Sequence, residues 1–112
     1  MVYRPLRYEQ MMRAGAAYDV RARRMFGGMG VYTGERMFAF LLDDKIGLKL
    51  KGSDYEEALR LPGAIPMVPE EGAEPLREYV EFPPAILDDE ATLQTWIDRS
   101  AEYVINRAST AA

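Results

Sequence analysis

The 112-residue sequence predicts an α+β fold, a two-layer domain in which helices cover one face of an antiparallel sheet. Three observations lead there. The pattern is extended for about thirty residues from Arg21, with Gly34-Glu35 and Asp43-Asp44 as turns; apolar residues recur at helical spacing near both ends; and two shorter extended runs follow a central helix. The resulting order is helix, three strands, helix, two strands, helix, in a single domain over residues 1–112 without repeat or linker.

Pro5 fits the first turn of a helix, where its missing N–H costs little, and Tyr8, Met11, Met12, Gly15 and Tyr18 then place one apolar stripe on a helix from about Pro5 to Tyr18. The next run, Arg24-Met25-Phe26-Gly27-Gly28-Met29-Gly30-Val31-Tyr32, reads as part of one bent strand near 22–33. A phosphate-cradling loop would need a helix directly behind its glycines, and strand and turn residues follow instead. Further strands are expected near 36–42 and 45–51.

Ser53-Asp54-Tyr55-Glu56 has the spacing of a capping box, which accounts for Ser53 better than a nucleophile with no base nearby. A short helix to about Arg60 is stopped by Pro62-Gly63. Ala64 to Val68 and Leu76 to Phe82 read as strands, with Pro66 at an edge because it cannot donate to a ladder. The acidic loop between them lacks the ligand spacing of a calcium site and reads as a solvated hairpin. Pro83-Pro84 ends the last strand, Asp88-Asp89-Glu90 favours the positive end of a helix dipole, and Leu93, Trp96, Ile97, Ala101 and Val104 form its buried stripe through about Arg107.

Two-residue turns fix a register. Tyr32 then faces Met37, Gly30 faces Ala39 and Gly28 faces Leu41; Leu41 faces Ile46, Ala39 faces Leu48 and Met37 faces Leu50. Those residues make the core face. The opposite face carries Met29, Val31, Phe38, Phe40 and Leu42 beside Lys45, Lys49 and Lys51, and burying each of the larger apolar side chains is worth about 1.5–3 kcal/mol. Either a partner or second subunit covers this face, or the chain covers it from within, or the register slips at a bulge. The five apolar residues with Lys49 are the candidate partner-binding set.

The composition narrows the chemistry. There is no cysteine and no histidine, so disulfides, Cys/His metal sites, thiol nucleophiles and the usual near-neutral base are all excluded. The acidic pairs Asp43-Asp44 and Asp88-Asp89 are explained by a turn and a helix start, so neither an enzyme nor a cofactor is expected. No apolar run approaches a membrane span and no apolar signal segment opens the chain, which points to the cytoplasm. The net charge of −4 is uneven, because residues 1–24 hold six arginines against two carboxylates. Arg21, Arg23 and Arg24 are the candidate nucleic-acid contacts, set against the plainer reading of a solvated helix face and strand edge.

The run from Arg23 to Tyr32, the turn before Met37-Phe38-Ala39-Phe40, and Asp43-Asp44-Lys45-Ile46-Gly47-Leu48-Lys49 together resemble the N-terminal domain of the TfoX/Sxy family of competence regulators. A weaker match is Tyr79-Val80-Glu81-Phe82-Pro83-Pro84 leading into the last helix. The resemblance spans nearly the whole chain; larger members carry a second, C-terminal domain. It implies a transcription-linked coactivator that binds other proteins, the transcription machinery among them. The residues themselves point to a small non-enzymatic adaptor that associates with a protein or with itself as a homodimer. The alternatives are nucleic-acid binding through the arginines, and a small-ligand binder or enzyme built from Tyr, Lys and carboxylates.

Overall fold

The computed structural model describes residues 3–111. Its elements are helix α1 (Pro5–Ala14), strands β1 (Val20–Met25), β2 (Gly28–Thr33), β3 (Arg36–Leu42) and β4 (Lys45–Lys49), helix α2 (Gly52–Leu59), strands β5 (Ile65–Pro66) and β6 (Tyr79–Phe82), and helices α3 (Pro84–Leu87) and α4 (Glu90–Ala111). The six strands form one antiparallel sheet in the order β1-β2-β3-β4-β6-β5. Helix α4 lies on β3 and β4, with α1 beside it, and the apolar stripe Leu93, Trp96, Ile97, Ala101 and Val104 enters the main core. Pro66 is at the sheet edge, as its missing N–H requires.

The expected strand near 22–33 is two strands. Phe26 and Gly27, at φ 52° and 77°, form the tight turn of a β1–β2 hairpin in which Met25 pairs with Gly28. Positive φ at both central residues matches the right-handed twist of the strands. The sequence conceals this turn, because a bulky aromatic stands where Asn or Asp usually does.

Three smaller expectations also change. Gly15 ends α1 and a 3-10 turn, Ala16–Tyr18, follows it. The N-cap of α2 is Lys51, without a side-chain hydrogen bond, so Ser53 lies inside the helix and makes no capping box. At the last helix Asp89 is the cap, its Oδ1 accepting the Thr92 N–H at 3.2 Å.

The register between β3 and β4 is the expected one, with Leu41 opposite Ile46 and Ala39 opposite Leu48. Between β2 and β3 it slips. Tyr32 pairs with Met37 but Val31 pairs with Ala39, leaving Phe38 as the extra residue of a β-bulge. Because side chains alternate, one inserted residue moves the rest of β2 to the opposite face. Met29 and Val31 therefore join Ala39, Leu41, Ile46 and Leu48 under the helices, while Gly28, Gly30, Tyr32 and Met37, expected on the core face, turn to the far side with Phe40. Phe38 is also buried in the main core, and its carbonyl accepts the buried Ser100 hydroxyl of α4 at 3.1 Å.

Candidate interaction surface

The bulge dissolves the expected apolar patch. Met29, Val31 and Phe38 belong to the helix-covered core, so they are removed from the partner-binding set. Phe40 and Leu42 remain on the far face, but Phe40 is fully buried there, in a second small cluster with Met67 and Tyr79. Met25, Met37, Leu42 and Leu76 close around it. The chain thus supplies much of its own cover, from the segment joining β5 to β6.

This second core is thin because its floor is glycine. A Cβ on Gly28 would come within 2.8 Å of the Phe40 ring, and one on Gly30 within 2.8 Å of both the Met25 and Met37 sulfurs. One on Gly47 would overlap the Met67 sulfur. Side chains from neighbouring positions lie flat over these glycines, so a single layer fills the face. The Tyr79 hydroxyl donates to the Met37 carbonyl at 3.0 Å, and burial raises its pKa. Lys45 pairs with the nearly buried Glu81 at 3.0 Å on the same face.

What stays exposed is Phe26. Its ring is 6.3 Å from that of Phe40 and continues the cluster outward, yet the residue is 52% exposed. It also holds a left-handed backbone, which costs a non-glycine residue about 1–2 kcal/mol. Sequence reasoning passed over Phe26; the one signal was a Phe-Gly pair flanked by residues of extended pattern.

The arginines do not form one patch. Arg21 and Arg23 share the far face with Tyr32, and Arg21 donates to the Gly34 carbonyl, whereas Arg24 is on the opposite face of the same strand. Arg4 and Arg7 are taken up by ion pairs. Arg7 is fully buried, its Nε 2.7 Å from Asp44 and its Nη1 2.8 Å from both Asp88 and Gln10, so it ties α1 to the β3–β4 turn and to the start of α4. Its place four residues before Met11 put it on the buried stripe of the helix. The Arg7 hydrogen bond, with Arg4 adding to it, holds the Asp44 carboxyl below its usual range.

Lys49 belongs to a different assembly. At the end of the sheet it lies 4.0 Å from Glu78, which also takes Arg107 at 3.2 Å and the Tyr103 hydroxyl at 2.7 Å. Among the described residues no group of three or more carboxylates could hold a metal, and no helix is long and apolar enough to cross a membrane.

No curated protein matches the sequence. The family model described as the TfoX N-terminal domain matches residues 9–103, from α1 through the bulged sheet and most of α4. The chain belongs to the TfoX N-terminal domain family.

Proposed function

We propose that this chain is a non-enzymatic regulatory domain that acts by binding protein, in the transcription-linked competence setting for which its family is named, and that the contact is the tip of the β1–β2 hairpin. One observation carries the reading. Phe26 keeps a half-exposed aromatic ring in a backbone conformation that glycine or asparagine would hold at lower cost, and it does so directly over the second core. Strain retained at an exposed apolar residue is explained by a task outside the fold. The absence of histidine and cysteine supports a role without catalysis.

A second copy of the chain is the simplest partner. The test is the solution mass of the native protein beside that of Phe26→Asn, which keeps the left-handed turn. A native dimer whose Phe26→Asn variant is a folded monomer supports the proposal. A dimer unchanged by the substitution, or a native monomer at all concentrations, refutes self-association through the tip. Phe40→Asp would not make this distinction, since Phe40 has no exposed surface.

A further inference from the structure

At the end of the sheet where β3 begins and β4 ends, four cations from separate segments converge on one groove: Arg36, Lys49, Arg77 from the β5–β6 connection, and Arg107 from α4. Glu35 also lines it, and Glu78 pairs with Lys49 and Arg107, so two positive charges are left over. Among the described residues, Arg36 and Arg77 have no ion-pair partner. In a chain of net charge −4 this local surplus runs against the overall balance.

The cations feel one another. Burial, with Arg107, Arg36 and Arg77 adding to it, draws the Lys49 ammonium below its ordinary pKa against the opposing effect of Glu78. An anion held among them would replace repulsion with charge-assisted hydrogen bonds, and arginine forks match the oxygens of a phosphoryl group. Met37, Leu76 and Val104 give the groove an apolar wall, and its volume of about 360 Å³ is that of a small-molecule site.

We propose that this groove binds the phosphoryl group of a small organic phosphate, with Arg36, Lys49, Arg77 and Arg107 as the anion ligands and the apolar wall against the organic part. The site is separate from Phe26 and does not depend on its role.

Pyrophosphate, inorganic phosphate and a nucleoside monophosphate are titrated into the native protein at constant ionic strength set with chloride, following amide NMR shifts and the melting temperature. The expected result is saturable binding, with shifts centred on residues 36, 49, 77 and 107, and the nucleoside monophosphate binding more tightly than inorganic phosphate. In Arg36→Gln/Arg77→Gln, which removes two exposed arginines without ion-pair partners, affinity should fall at least tenfold while the melting temperature without anion holds or rises. An equal response in that variant means general salt stabilisation and overturns the proposal. So does the absence of saturation, or a response to single-stranded oligonucleotide with none to the small phosphates. Equal affinity for inorganic phosphate and the nucleoside monophosphate would overturn the assignment of the apolar wall.

Discussion

Gly47→Ala tests the second core most directly, because the methyl group must enter space already filled by the Met67 sulfur. Met67 is fully buried and reaches from beyond the edge strand to cover Gly47 beside Phe40. To admit the methyl it must swing out, which forfeits most of the burial of a methionine, about 2 kcal/mol. Met67→Ala alone should cost about 2–5 kcal/mol for lost contacts and a cavity. In the Met67→Ala background, however, Gly47→Ala meets no obstruction and requires no left-handed backbone, so it should be neutral or stabilising by about 0.5 kcal/mol. The double-mutant cycle should therefore show a coupling of about 2 kcal/mol. Urea unfolding of the four proteins, with unchanged m-values, reads it out. Additive single effects would refute the argument, since they would mean that Met67 does not occupy the space above Gly47.

Further outcomes follow from individual contacts. Ser100→Ala should cost about 1 kcal/mol by removing the buried hydrogen bond to the bulged Phe38 carbonyl, measured by the same unfolding assay; a change under about 0.5 kcal/mol would show that the bulge does not need this partner. Phe26→Asn should raise stability by about 1 kcal/mol, seen as a melting temperature higher by about 4 °C, through relief of the left-handed strain. A loss of stability instead would make Phe26 a packing residue. The Asp44 pKa is lowered in the folded state, so its contribution is complete above the unfolded carboxylate value of about 3.9 and is lost as pH falls through the lower folded value. Asp44→Asn should accordingly flatten the acid limb of the stability profile, and an unchanged slope below pH 4 would show that the Arg7 and Arg4 contacts do not persist in solution.

The order of elements, apart from the hairpin at Phe26-Gly27 and the short helix α3, was legible because each longer element carries its own local signal. Pro5 and the stripe after it start a helix, Pro62-Gly63 ends one, Pro83-Pro84 ends a strand, and Gly34-Glu35 and Asp43-Asp44 turn the chain. The family resemblance followed from the same residues. The pairing of β3 with β4 was also readable, since a two-residue turn joins two strands without irregularity.

The candidate surface was not legible, because it depends on one inserted residue. Nothing local distinguishes Phe38 from its apolar neighbours, yet its place in the bulge reverses the faces of Met29, Val31, Gly28 and Gly30. The bulge is held from sixty-two positions away by Ser100, a contact that no window of sequence contains. The cationic groove has the same character: Arg36, Arg77 and Arg107 are ordinary surface residues in sequence, Lys49 stood out only beside the apolar face, and the four become a cluster only when three strands and a helix end at one place. Sequence alone determined the three longer helices and nearly all the strands, through periodicity and turn chemistry, but not the short helix Pro84–Leu87. Tertiary structure decided which residues each face presents, because that depends on register and on contacts between distant segments.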